Sequence, residues 1–439
     1  MPRTAPVDGR RLVSTLAVGV VAAVVSLGRL WLGNHDALTQ VIWAEDGVFP
    51  ICVEKAGFLT CLTDPFAGYL LVLPRLVAGL IALLPVESWA LATNLMAALL
   101  AGVTSALAFL VMRRFGLGVV ASVVIGLLPV VAPIVGLEAI NALGSSYMLL
   151  LYLATLVLAF PSPTDSTRWL PIALVAALLL LTALTIPSAV VLIAVIAVQA
   201  VRRSIALRGT AVWVGAIAVG LLAQWLTALS AAKPRAITVG RESFDAWLNA
   251  VPDTILTYWP GMQLSEYTLF DVFTVSPLGI TGALVVLAIT GGGVVLVVRG
   301  GGEPVGIGLL LLSGIAYGAG PSLIGPTNNR YFVVPLLLWG AAVMVALDPV
   351  IRRSRPWVVA SVVVVVLVLW WPAMAASVLR STPAPRWQDE VARVEAKCVA
   401  DPGFTERIIV SPYWPPNWGD ALAEPTHPDL PCLVVWKWQ

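Results

Sequence analysis

The sequence predicts an all-α, polytopic transmembrane protein. Three observations carry that reading. Apolar residues make up 59% of the chain and charged residues only 11%, mean hydropathy is +0.92, and apolar runs of about 20 residues, enough to cross a hydrocarbon core, recur along its length. A soluble domain carries roughly 25% charged residues, so this composition does not suit a water-facing surface. Every backbone polar group in lipid needs an internal partner, which helices supply and isolated strands do not. The period-2 alternation of a membrane barrel is absent. A net charge of +2 offers no electrostatic footprint for nucleic acid, and none is expected as a partner.

The first predicted span is 12–33, preceded by Arg3, Arg10 and Arg11. Its apolar run exceeds the roughly 7–15 residues of a signal-peptide core and has no cleavage site before Trp31. It reads as an uncleaved helix with its N-terminus in the cytoplasm, and Arg29, near the outer end, is expected to snorkel to the interface. Ten further spans follow at 88–112, 117–135, 147–160, 170–186, 188–201, 211–231, 278–298, 305–324, 331–347 and 357–377. With about eleven spans, the basic clusters Arg113-Arg114, Arg168, Arg202-Arg203 with Arg208, Arg299, and Arg352-Arg353 with Arg355 all fall in the cytoplasm, as the positive-inside rule requires. The C-terminal segment then lies outside.

Two stretches need separate treatment. Residues 170–200 carry no charge and are broken by Pro187; they form either a hairpin of two short helices or one kinked helix, which changes the count by one. Gly68–Leu84 is apolar but holds Pro74-Arg75 near its middle. If it crossed, every later basic cluster would change sides, so it reads as an interfacial or re-entrant helix in the outer leaflet.

The expected organisation is a transmembrane catalytic domain over 1–377, with outer loops 34–87 and 232–277, and a small extracytoplasmic segment over 378–439. The apolar patches Ile408–Val410 and Leu433–Trp436 in that segment read as short strands. Cys52, Cys61, Cys398 and Cys432 all land on the oxidising side. Four cysteines allow three pairings, and proximity favours Cys52–Cys61 with Cys398–Cys432. Zinc is not expected, since the spacing is wrong and the two histidines, His35 and His427, are far apart in the chain. Gly291-Gly292-Gly293 lies within a span and Gly300-Gly301-Gly302 in a short turn, which makes them packing and turn glycines rather than a phosphate cradle.

Polar residues with chemical potential gather at the outer surface. Glu45-Asp46-Gly47 places adjacent carboxylates just beyond the first span. A carboxylate there can take the proton of an attacking hydroxyl, and the glycine permits a tight turn. Asn328-Asn329-Arg330-Tyr331 sits at the outer start of a span. Arginine there can hold phosphate through paired charge-assisted hydrogen bonds, or, with Tyr331, anchor the helix at the interface. Arg75, with Tyr69 before it, is placed to reach lipid phosphates. Glu138 and Asn141 complete the polar set at this depth. Aromatic residues of the 233–277 loop, Trp247 among them, suit sugar faces or interfacial anchoring.

This layout resembles the GT-C superfamily of integral membrane glycosyltransferases, which use lipid-linked sugar donors on the outer membrane face. The resemblance rests on Glu45-Asp46-Gly47, then Gly68-Tyr69 and Leu73-Pro74-Arg75, Leu137-Glu138 with Asn141, Leu184-Thr185-Ile186-Pro187-Ser188, and Asn329-Arg330-Tyr331, in that order. It covers roughly residues 12–347 and leaves the C-terminal segment unmatched. It implies an inverting glycosyltransferase of the cell membrane with a polyprenyl-phosphate sugar donor, and Asp46 or Glu45 as general base. Arg330, with Arg75 and Tyr331, would hold the donor phosphate, and Tyr69, Glu138, Asn141 and Asn329 would contact substrate. No cofactor is required, although a divalent cation is compatible with the acidic pair. Arginine far exceeding lysine points to a GC-rich bacterial genome, which makes an envelope glycan or glycolipid the expected acceptor. The rival classes are a polyprenyl-linked lipid or glycan flippase, which needs a polar path near mid-membrane, and a non-catalytic subunit of an envelope assembly complex.

Overall fold

The structure is a computed structural model that describes residues 9–33, 35–66, 68–135, 141–161, 167–230, 277–324, 329–375, 386–401, 403–407 and 429–432, with the isolated positions Trp247, Leu248, Val251 and Val434. The protein is an all-α membrane protein. Its main helices are α1 (Gly9–Gly33), α2 (Ala37–Gln40), α3 (Val48–Ala56), α4 (Phe58–Thr63), α5 (Val72–Ile81), α6 (Trp89–Phe115), α7 (Val119–Val131) and α8 (Tyr147–Ala159). They continue with α9 (Trp169–Thr185), α10 (Val191–Val201), α11 (Leu207–Ser230), α12 (Pro277–Arg299), α13 (Glu303–Ile324), α14 (Val333–Arg353), α15 (Pro356–Ala375) and α16 (Trp387–Ala400). Among the described residues, five segments are long and apolar enough to cross a membrane: Arg11–Leu32, Val86–Phe115, Leu207–Ser230, Glu303–Pro321 and Val333–Arg353.

Small residues set the helix spacing. A Cβ on Gly102 of α6 would lie 2.7 Å from the Gly19 carbonyl oxygen of α1, and one on Gly308 of α13 would lie 2.6 Å from the Gly293 oxygen of α12. In lipid, where apolar side chains gain little by leaving their solvent, such backbone approach is a main source of helix association. Gly293 is thus a packing glycine, and Gly302 takes φ +56 in the turn before α13.

The contacts sort the helix ends into two groups. One end collects the basic clusters. Phe115 packs on Phe160 at 4.7 Å between centroids, and Gln199 donates to the Leu158 and Ala159 carbonyls at 3.1 and 2.9 Å. Arg202 donates to the Val297 carbonyl at 2.6 Å, and Arg208 lies 3.4 Å over the Trp169 ring. The α6–α7 turn is held by Asp348 of α14, which accepts the Gly118 N–H at 2.9 Å and pairs with Arg352 at 2.5 Å.

The other end collects Asp46, both disulfides and the C-terminal segment. Cys52–Cys61 and Cys398–Cys432 are bonded, with Cα–Cα distances of 5.7 and 5.5 Å. The indole of Trp387 on α16 stacks on Trp89 at 6.2 Å and donates to the Val86 carbonyl at 2.6 Å, and Arg386 reaches Asp36 at 3.3 Å. Strands β1 (Thr405–Arg407) and β2 (Asp429–Pro431) pair antiparallel, Glu406 opposite Leu430. The expected strands at 408–410 and 433–436 fall outside the described residues, apart from the buried Val434.

Residues 170–200 take the hairpin form. Ile186 is extended, a 3-10 turn covers Pro187–Val190, and α9 and α10 run in opposite senses between the two ends. The ten residues of α5 span about 15 Å, half of a hydrocarbon core of about 30 Å, and seven of them are buried. Arg29 departs from the sequence reading. It does not snorkel: it is buried, and donates to the Val130 and Ala132 carbonyls at 2.7 and 3.1 Å. The terminus of α7 leaves those carbonyls without helical partners, and a cation satisfies them while countering the helix dipole.

Candidate functional site

The candidate site lies where the first loop meets the turn before α8. A 3-10 turn at Ala44–Gly47 turns the chain sharply after the buried Trp43, which packs on Ala142. Asp46 thereby points into the protein and is 1% exposed. Its Oδ2 accepts the Leu143 N–H at 2.8 Å and its Oδ1 accepts the Gly144 N–H at 2.6 Å. A buried carboxylate without such donors would be strongly disfavoured; two amides aimed at it hold charge and orientation together. A Cβ on residue 144 would stand 3.2 Å from Oδ1, so a glycine keeps this approach open.

The same turn is tied to α1. Asn141, at φ +50, donates from Nδ2 to the Ser26 carbonyl at 2.8 Å and accepts from Ser26 Oγ at 2.7 Å. Both ends of the amide are therefore used in holding the turn to α1. Tyr69 and Tyr147 pack with Phe66 around Phe49, Leu71 and Ala78, and Phe49 also lies next to Gly144. Through Phe49, Tyr69 is linked by packing to the turn that holds Asp46.

The segment before α5 is gripped from two helices. Gln224 of α11 accepts the Leu70 N–H at 2.8 Å and donates to the Leu70 and Ala183 carbonyls at 3.2 Å each. Thr185 accepts the Leu73 N–H at 3.2 Å. The Leu73-Pro74-Arg75 and Leu184-Thr185 motifs therefore meet in space. Arg75 is turned inward, 2% exposed, with Nη1 donating to the Asp64 carbonyl. Burial pulls its guanidinium below the ordinary value, with Asp64 opposing, and it remains a cation at neutral pH. Its Nε has no partner among the described residues.

Asn329 and Arg330 lie in a 3-10 turn, Asn329–Phe332, with their side chains outside the described residues; Tyr331 is half-buried. The adjacent Phe332 stacks on Trp247 at 6.4 Å and 8° between planes, which brings Trp247 to the start of α14. Glu138 lies outside the described residues, as does the side chain of Glu45. Among the described residues, no group of three or more His, Cys, Asp or Glu side chains comes together to hold a metal.

Sequence reasoning did not single out Ser26, Gln224 or Asn94. Asn94 is buried on α6, where its Nδ2 donates to the Ala37 carbonyl at 3.0 Å and the Leu38 carbonyl at 3.1 Å. The signal was present, since an amide within an apolar span is expensive unless it bonds to another element.

No family model matches the chain, and comparison with curated proteins returns no match.

Proposed function

We propose that the chain is an inverting glycosyltransferase that moves a sugar from a polyprenyl-phosphate donor to a cell-envelope glycan or glycolipid. The observation that carries this reading is the fixed, buried carboxylate of Asp46 at a polar, aromatic helix end of an otherwise lipid-soluble bundle. Pre-oriented charge in a water-poor setting is what a displacement at a sugar carbon needs. In this reading the acceptor oxygen attacks the anomeric carbon and its proton passes to a carboxylate. The bond from that carbon to the phosphate oxygen breaks, and polyprenyl phosphate leaves with the electron pair. Both oxygens of Asp46 already accept backbone N–H groups, which favours Glu45 as proton acceptor and Asp46 as the residue that holds the turn. Arg330, with Arg75 and Tyr331, would neutralise the departing phosphate. Tyr69, Glu138 and Asn329 remain the proposed substrate contacts, and Asn141 acts through the turn.

Sidedness is part of the proposal. We place the N-terminus in the cytoplasm, count eleven spans by adding the six shorter apolar helices α7, α8, α9, α10, α12 and α15, and put the Asp46 end outside. Gathering of the arginine clusters at one end fits the positive-inside rule, and disulfides at the other fit an oxidising compartment.

The test is transfer by purified protein in lipid, offered labelled polyprenyl-phosphate sugars and an envelope acceptor. Loss of transfer in Glu45→Gln with an intact fold supports the assignment. Transfer that survives Glu45→Gln, Asp46→Asn and Arg330→Ala refutes the site. No transfer from any donor, with labelled lipid moved across the bilayer, supports a flippase instead.

A further inference from the structure

At the end of the bundle away from Asp46, α1 and α6 part to leave a cleft of about 270 Å³ lined by Arg11, Ser14, Thr15, Phe109, Leu110, Arg113, Arg114 and Val119. Among the described residues, no acidic side chain lines it. Its floor is set by the contact of Gly19 with Gly102, one helical turn, about 6 Å, below Thr15. Arg113 is held in place by donating to the Leu117 carbonyl just past Gly116. Thr15 spends its hydroxyl on the Arg11 carbonyl at 2.8 Å. The apolar part of its lining is Phe109, Leu110 and Val119, and at its α7 side Val119 and Val120 are exposed.

We propose that this cleft binds the phosphate of an anionic phospholipid, with the three guanidiniums around the headgroup and the acyl chains leaving past Leu110 and the exposed start of α7. Guanidinium recognises phosphate through paired, charge-assisted hydrogen bonds, and basic clefts between membrane helices suit lipid headgroups. The volume is near the lower limit of ligand pockets, roughly 300 Å³, which fits a phosphate with its glycerol rather than a whole lipid. The apolar walls favour a lipid over free phosphate as the source. The site stands apart from the glycosyl-transfer reading.

The test is native mass spectrometry of the full chain after reconstitution in phosphatidylglycerol or phosphatidylcholine vesicles. The expected result is a retained phosphatidylglycerol adduct, reduced by about tenfold or more in Arg113→Gln/Arg114→Gln. Arg353→Gln/Arg355→Gln, which removes the same charge from an exposed turn elsewhere, leaves it within about twofold. Ser14→Phe fills the cleft without removing charge and should lose the adduct as well, which decides the matter if the double arginine variant does not fold. Equal loss in both arginine pairs would reduce the effect to general attraction and overturn the proposal, as would no preference for the anionic lipid. Displacement of the lipid by millimolar inorganic phosphate, with a phosphate adduct in its place, would overturn the lipid as source.

Discussion

Replacing Asp46 by alanine should loosen the turn before α8 specifically. The carboxylate is the acceptor for two buried amides, Leu143 N–H at 2.8 Å and Gly144 N–H at 2.6 Å. Hydrogen bonds to a charged group contribute roughly 1.5–3 kcal/mol each, giving about 3–6 kcal/mol before relaxation. Water entering the vacated space recovers part of this, so about 3 kcal/mol is the working figure. At 1.36 kcal/mol per tenfold, that is roughly 150-fold more frequent local opening. Hydrogen exchange read on peptides covering 141–146 should therefore quicken by about two orders of magnitude in Asp46→Ala. Asp46→Asn keeps one acceptor oxygen but sets an NH2 against a backbone N–H, so it should fall between. Glu45→Ala should leave exchange there near wild type. Unchanged exchange at Leu143 and Gly144 in Asp46→Ala would refute the clasp, and with it the division of labour between the two acids.

Three other outcomes follow from the packing. Trp387→Ala removes the stack on Trp89 and the hydrogen bond to Val86, a loss of about 3–5 kcal/mol, and should free residues 386–401 for limited proteolysis while the membrane helices stay intact. Gly102→Ala drives a methyl against the Gly19 carbonyl and should destabilise the protein by about 1–3 kcal/mol in detergent melts; Gly291→Ala, with nothing within 4 Å, should be neutral or slightly stabilising. Alkylation without reductant should modify no cysteine, and four after reduction and unfolding, because all four are paired; any label taken up before reduction contradicts the pairing.

The helices were legible because long apolar runs have few alternatives in lipid: all eleven expected spans coincide with helical segments, and the local disulfide pairings followed from sequence proximity. What was not legible depends on partners distant in the chain. Arg29 reads as a snorkelling charge until the end of α7, about a hundred residues on, presents its bare carbonyls. Asn141 shows only that it is a buried amide in need of partners until Ser26 is found at both ends of it. Asp46 shows a carboxylate beyond the first span, but not the two amides of Leu143 and Gly144 that it accepts. In each case the residue type announced that a polar group must be satisfied, and the fold alone decided by what.

The seat of α16 has a consequence for how the protein is made. Trp387 and Arg386 bind elements that leave the ribosome some three hundred residues earlier, near Val86 and Asp36. The first loop thus waits through the synthesis of the helical bundle for its covering. Burial of the first loop under α16 is therefore completed late, after the helices between the two have been made.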